Sequence, residues 1–383
     1  MQLALLRPKI ARLDDVVRQR KGEWALANPT VAHPVQNLLI FKPDEIGDAV
    51  QSLPALWELR KALPNAKFFL ICQPKTKSIY EASGLIDEIS TVDVQMRFVR
   101  FPDLKLEEAL ASFSISQFDA ALFLRTYSSY FSYFKKLPAK ALIHPEDPRM
   151  KSSSPLQIPL NMHGAKKSHQ SLLMLELVSI LTRKTYAQKD VTFPDLKFTQ
   201  LKNAVSEPYI VLHPFAKLET KRFPENRWSE LIEVLSRKFP ETKFVTIGGK
   251  EDPELSLPQN CLQLQGKLSL SETGQLLQKA MAFIGNESGP GHLAACLKIP
   301  TVTLMGGHSD PHEWAPIGKS LVIRNPVFCS PCHLRVCPGL GLVCLTEMTV
   351  EKVAPRIIEF IQKSSSASDE RSFNEFQEVD LRP

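Results

Sequence analysis

Two short, unbroken apolar runs constrain the chain most: "NLLIF" (Asn37 to Phe41) and "YIVLH" (Tyr209 to His213). A strand that is apolar at successive positions is buried on both faces, as strands of parallel sheets are. Each run leads into a polar loop and then a helical stretch, Ala49 to Leu63 in the first half and Glu225 to Lys238 in the second. "AKFFLIC" and "FDAALFL" continue the first half as further strands, and "KFVTIG", "AFIGN" and "PTVTLMG" continue the second. Strand–helix alternation begun twice predicts an α/β chain with two Rossmann-like domains, each built on a mainly parallel sheet, facing a central cleft. Ligands bind at the carboxyl ends of the strands in such sheets, so the loops there should carry the chemistry.

A chain of 383 residues accommodates two such domains. The expected division is an N-terminal extension (1–36), a first domain (37–190), a second (191–363) and a tail (364–383). The polar stretch "RKTYAQKDVTFPDLKFTQLKNAVSEP" marks the middle boundary. The extension carries six basic and three acidic side chains. Two readings of it stay open: a partly helical segment packed on the surface, or a basic face resting on anionic headgroups. The tail is Ser-rich and acidic and is expected to be disordered.

Apolar residues at 43% and charged residues at 23% exclude a disordered chain. Forty-seven basic against 41 acidic side chains is too small an excess for a nucleic-acid binder, but it suits anionic small molecules or an anionic membrane surface. No run approaches the roughly 20 apolar residues of a spanning helix. "MQLALLRPKIARL" places its basic residues after the apolar run, the reverse of a signal peptide, so the expected location is cytoplasmic. Cys72, Cys261 and Cys296 lie in apolar segments and read as buried thiols.

Three strand-end loops gather polar groups. In "FKPDEIGDAVQSLPALWELRKALP", Asp48 opens a helix beside Gly47. Its carboxylate could cap backbone N–H groups, or take a proton from an attacking hydroxyl at the cleft. In "LHPFAKLETKRFPENRW", Lys217, Thr220, Lys221 and Arg222 lie between a strand end and a helix start, a natural phosphate site, although a solvated loop would read the same way. Phe223 and Trp228 belong to the core. In "AFIGNESGPGHLAACLKIP", Asn286, Glu287, Ser288, Gly289, Gly291 and His292 make a polar turn into a helix of small residues. Free N–H groups there form an anion cradle, which the glycines would let a ligand approach. Gly306, His308 and Asp310 of "MGGHSDPHEWAP" extend the same rim. There is no Walker loop, dinucleotide fingerprint, H-E-x-x-H or nucleophile elbow. Cys329, Cys332, Cys337 and Cys344 fall within sixteen residues. Such a set could hold a tetrahedral zinc, though the wider gaps are not those of a standard finger, and a reduced packed loop is the alternative.

In this order, "GDAVQSLPAL", "KRFPENRW" and "NESGPGHLAACLKIPTVTLMG" resemble glycosyltransferase family 9, the lipopolysaccharide heptosyltransferases, over roughly residues 37 to 360. The resemblance implies a two-domain GT-B architecture whose final helix reaches back to the first domain. It implies inverting, metal-independent transfer from ADP-heptose, a substrate rather than a cofactor, onto a lipid-linked lipopolysaccharide core. The implied setting is cytoplasmic and peripheral to the inner membrane, without nucleic acid. By the same resemblance Asp48 is the catalytic base and Lys221 holds the donor diphosphate. Glu287, Ser288, Gly289 and His292 line the donor turn, and Glu251 of "GGKEDPE" approaches the donor nucleoside. The family usually has Asp where this chain has Glu287, which points to a shift in the sugar accepted. Two alternatives stand beside this reading: a GT-B transferase with another nucleotide-sugar donor, such as a UDP sugar, and a non-catalytic nucleotide-sugar-binding module.

Overall fold

The computed structural model describes residues 35–93, 105–125, 137–145, 157–158, 168–198, 205, 208–365 and 376–382. Almost all of the 1–36 extension therefore lies outside the described residues. The first sheet holds β1 (Asn37–Lys42), β2 (Lys67–Cys72), β3 (Glu88–Thr91), β4 (Phe118–Phe123), β5 (Ala139–Pro145) and β6 (Gln157–Ile158), in the order β3-β2-β1-β4-β5-β6. The second holds β7 (Tyr209–His213), β8 (Lys243–Thr246), β9 (Cys261–Gln263), β10 (Ala282–Asn286), β11 (Thr301–Met305), β12 (Ser320–Arg324) and β13 (Phe376–Asp380), in the order β13-β12-β11-β10-β7-β8-β9. Every described pairing is parallel. The unbroken apolar runs are the cause: Leu38, Leu39 and Ile40, like Ile210, Val211 and Leu212, have no exposed surface and face cover on both sides.

Strand order reverses between β1 and β4 in one sheet and between β7 and β10 in the other. Such switch points open a crevice beyond the carboxyl ends of their strands. The three polar loops leave β1, β7 and β10, so all three lie at a switch point.

The helices are α1 (Ile46–Ala62), α2 (Lys77–Ser83), α3 (Leu106–Ala111), α4 (Gln170–Thr182), α5 (Asn226–Lys238), α6 (Leu270–Gln278), α7 (Gly289–Cys296), α8 (Pro311–Trp314), α9 (Val343–Thr346) and α10 (Val350–Ser365). α1 packs on α4 and, across the cleft, on α7, while α2 meets α6. One apolar cluster consequently joins the two halves, from Leu53, Leu56 and Leu175 to Leu276, Leu293 and Ile317. A second lies within the other half, where Phe223 meets Trp228 edge to face at 5.6 Å, both fully buried as expected.

Three expectations are corrected. Among the described residues the final helix, α10, packs within the second half rather than on the first. Val353, Ile357 and Ile361 pack with α5 residues in the second cluster, because its apolar stripe matches that of α5. The tail is not disordered throughout: Phe376–Asp380 pairs in register with β12, from Ser320 opposite Phe376 to Arg324 opposite Asp380. Apolar contact on both faces drives this: Phe376 packs with Met305 and Val322 on one side, and Val379 joins the second cluster on the other. Cys72 and Cys296 are buried thiols, but Cys261, on the short edge strand β9, is only half-buried.

Candidate active site

β1 ends in Lys42, a fully buried lysine whose ammonium group is paired with the equally buried Asp44. The other Asp44 oxygen, Oδ1, has no hydrogen-bond partner. Glu45 then leads into α1 without capping it. Its carboxylate instead accepts from Lys75 at 2.6 Å and from Lys217 of the other half at 3.3 Å.

Asp48 follows in the first turn of α1. Its carboxylate does not cap the helix: Oδ1 accepts a charged hydrogen bond from Arg125, at the end of β4. The Arg125 guanidinium in turn lies 5.3 Å from the Trp314 ring of the second half. Burial pushes the Asp48 carboxyl up, but the charges of Arg125 and Lys42 outweigh it and hold its pKa below the usual carboxylate value. Asp48 is therefore ionised at neutral pH and fixed in direction.

Across the cleft, β7 ends at His213 and a loop leads to the single turn Glu219–Lys221. The Lys221 ammonium group donates to Glu287 Oε1 at 2.5 Å, and Ser309 Oγ donates to the same oxygen at 2.6 Å. Glu287 Oε2 is buried with no partner. Asn286 binds the two loops together, accepting from Phe223 N at 2.9 Å and donating to the Pro214 carbonyl at 2.7 Å. Ser288 is the extended residue before α7, but its hydroxyl meets His213 Nδ1 at 2.9 Å and the Asn286 carbonyl at 3.0 Å, so it does not cap the helix.

His292 connects the two sets. Burial, together with the nearby His169 and Lys221 charges, pushes it down to about 3 against the opposing pull of Asp48, so it is a neutral imidazole within electrostatic reach of both Asp48 and Lys221. His213 and His169 are likewise held to about 4, by burial.

The glycines do a different job from the one expected. A Cβ at Gly289 would lie 2.7 Å from Ile46 Cβ, and one at Gly47 would lie 3.0 Å from His292 Cδ2. The space they leave is filled by the opposite half. At Gly291 a Cβ would meet only ordinary contacts, 3.4 Å at the nearest, so close approach does not explain that glycine.

Asp48, Gly47, Lys221, Glu287, Ser288, Gly289 and His292 thus converge, while other expected residues do not. Lys217 is exposed and answers to Glu45. Thr220 is buried and faces away, donating to the Leu334 carbonyl at 2.9 Å and lying 3.2 Å from His308 Nδ1. Glu251 is exposed in the turn after β8. Cys329, Cys332, Cys337 and Cys344 share one loop as half-buried free thiols. Among the described residues no group of three or more His, Cys, Asp or Glu side chains is arranged to hold a metal ion.

Lys42, Arg125, Ser309 and Trp314 were missed. The signal for Arg125 was present in "FDAALFLR", a cation at the end of a buried strand, but only the sheet order shows β4 beside β1. The assembled site sets an oriented carboxylate in one half against a lysine and a helix N-terminus in the other. Such a pair can accept a proton from one bound molecule and stabilise negative charge on another.

A family model described as glycosyltransferase family 9 (heptosyltransferase) matches residues 166–341. The chain is 23% identical over 352 residues to lipopolysaccharide heptosyltransferase 3 of Escherichia coli (strain K12), covering 81% of this chain and 96% of that one. Among solved structures, a family 9 glycosyl transferase from Veillonella parvula aligns with a TM-score of 0.67 at 16% identity, over 86% of this chain and 98% of that one. The ADP-heptose lps heptosyltransferase II of E. coli aligns with a TM-score of 0.65 at 19% identity, over 86% of this chain and all (100%) of that one. At such identities the structural likeness speaks for the fold, the GT-B arrangement of two facing α/β halves.

Proposed function

The chain belongs to glycosyltransferase family 9, and on that premise we propose that it transfers heptose from ADP-heptose to a lipid-linked lipopolysaccharide inner-core acceptor. In this reading the transfer inverts the anomeric carbon and needs no metal, and the enzyme works at the cytoplasmic face of the inner membrane. The observation that carries it is the packing of α1, which bears Asp48, against α7, where a Cβ on Gly47 would lie 3.0 Å from His292 Cδ2. In this reading Asp48 is the base on one side of that contact and Lys221 the cation that holds the phosphate on the other.

The second half takes the donor. Lys221 and the N-terminus of α7 face the diphosphate, with the Ser288–His292 turn beneath it. Both stabilise the charge that grows on the leaving phosphate, the task a divalent cation performs elsewhere. His292, held neutral, adds no competing positive charge and can donate a hydrogen bond. The first half takes the acceptor. Asp48 accepts the proton of the attacking hydroxyl, and Arg125 holds its direction. A single carboxylate acting from the acceptor side is the requirement of a one-step displacement, which inverts configuration. Glu287 is tied to Lys221 and Ser309, so it serves in binding rather than as a second base or nucleophile.

The buried and unpartnered Oε2 of Glu287 favours a variant of this reading, in which the transferred sugar is not heptose. A longer acid at that place meets a different set of sugar hydroxyls. The test is transfer from ADP-heptose to heptose-deficient lipopolysaccharide by wild type and Asp48→Asn, with and without a chelator. Loss of the base should lower turnover about 10²–10⁴-fold, and chelation should change nothing. Full activity in the variant would remove Asp48 from the mechanism. Binding of ADP without turnover would direct attention to Glu287 and other donor sugars.

A further inference from the structure

Six large apolar side chains stand out as exposed among the described residues, and five of them fall in one loop: Phe328, Leu334, Val336, Leu340 and Val343. Phe328 is 90% exposed and Val336 66%. The loop, 325–346, contains no carboxylate and carries an exposed cation, Arg335. It is also the loop of the four cysteines, for which the proposed reaction has no use.

Its backbone is clasped to the wall of the donor site. Cys332 N donates to the Gly307 carbonyl at 2.8 Å and His333 N to the His308 carbonyl at 3.0 Å. Cys337 N donates to Glu219 Oε1 at 3.0 Å, and the Leu334 carbonyl accepts from Thr220 at 2.9 Å. Glu219 and Thr220 share one turn with Lys221. His333 and Leu342 adopt left-handed backbone, each with φ 54°, a conformation that persists only where surrounding contacts hold it. The apolar tips therefore project from a held framework fixed to the donor-site rim.

We propose that this loop seats in the interfacial layer of an anionic lipid bilayer, with the five apolar side chains among the acyl chains and Arg335 at the headgroups. The apolar area is on the order of a few hundred Å², whereas a stable protein interface needs about 800 Å² per partner. A few inserted side chains and a nearby cation suffice for reversible membrane attachment. The purpose of the contact rests on the proposed transfer to a lipid-linked acceptor: it would hold the donor-site wall at the membrane surface where that acceptor is anchored.

The test uses the full chain and sedimentation with vesicles of phosphatidylethanolamine and phosphatidylglycerol. The double variant Phe328→Ser, Val336→Ser should lower the partition constant about a hundredfold, roughly tenfold for each apolar side chain removed. Its melting temperature and its transfer to a detergent-dispersed acceptor should stay unchanged. Phe328→Trp, which keeps the apolar character, should partition like wild type and show blue-shifted emission on vesicles. Wild type that does not sediment, or a double variant that sediments equally well, would overturn the proposal. So would a wild-type dimer that the double variant dissociates while vesicles bind neither. Vesicle binding lost on substitution, without transfer activity in either protein, would leave the loop assignment standing and remove the reaction.

Discussion

Replacing Gly289 by alanine adds one methyl group at the tightest point between the two halves. The new Cβ would lie 2.7 Å from Ile46 Cβ, 2.8 Å from its Cγ2 and 3.1 Å from Gly47 N. Carbon atoms in good contact stand about 3.5–4.0 Å apart, so the deficit is close to 1 Å. No rotamer change at Ile46 removes it, because its Cβ is fixed to the backbone of α1. The cost falls on the approach of α1 to α7, at about 1–3 kcal/mol for overpacking of this kind. If the halves part by that 1 Å, Asp48 moves away from the donor site by a similar amount, a displacement that costs on the order of 10²-fold in rate. We expect kcat/KM to fall about 10–100-fold, with the melting temperature lowered by no more than a loss of about 1–3 kcal/mol of stability accounts for. Gly291→Ala serves as the control, since its Cβ finds only ordinary contacts, and it should lose far less activity. Steady-state transfer assays with thermal melts decide the matter. Wild-type kcat/KM together with a wild-type melting temperature in Gly289→Ala would refute the argument from close approach.

Arg125→Leu removes the largest influence that lowers the Asp48 pKa and leaves burial to raise it. The acid limb of the kcat/KM profile should then move to higher pH, and an unmoved limb would show that Arg125 does not govern the base. His169, His213 and His292 are held to about 4, about 4 and about 3 in the folded state. The unfolded chain takes up these protons first as the pH drops below about 6.5, so stability contributed by the neutral imidazoles is lost between there and roughly pH 4. The urea midpoint should decline from pH 7 to pH 5, and a flat midpoint over that interval would contradict the burial of the three rings. Glu287→Gln leaves the largely buried Lys221 ammonium group without its counter-charge, which should destabilise the protein by about 3 kcal/mol. Saturating ADP should restore more of the melting temperature in this variant than in wild type, and equal shifts in the two would argue against a phosphate beside Lys221.

Local patterns foretold the parallel sheets and the two helices that follow β1 and β7, because burial on both faces writes itself as continuous apolar residues. The helix starting at Asn226 begins within a residue of its expected place. The polar turn at 286–292 and Asp48 were legible as candidates for the same reason, being polar groups at the ends of apolar strands. Arg125 and Trp314 were not, since their partnership depends on which strands become neighbours and how the halves face each other. The β13 strand was hidden by its composition: "FQEVD" reads as a charged tail until β12 offers it an edge. The glycines at 47 and 289 looked like room for a ligand and turned out to be room for the opposite helix.

The apolar cluster that runs from α1 and α4 through α6 to α7 without a break has a consequence for how the protein comes apart. Halves joined only by a polar strap could melt one after the other, each with its own heat-absorption peak. Here, parting them would wet the same leucines that stabilise each half internally, so the free energies of the two are coupled and calorimetry should record one cooperative peak. Cutting the chain between 190 and 191 would yield fragments with raw apolar faces that associate or aggregate rather than two soluble modules. The same seam restrains rigid-body swings of one half against the other, as large apolar contacts between units do.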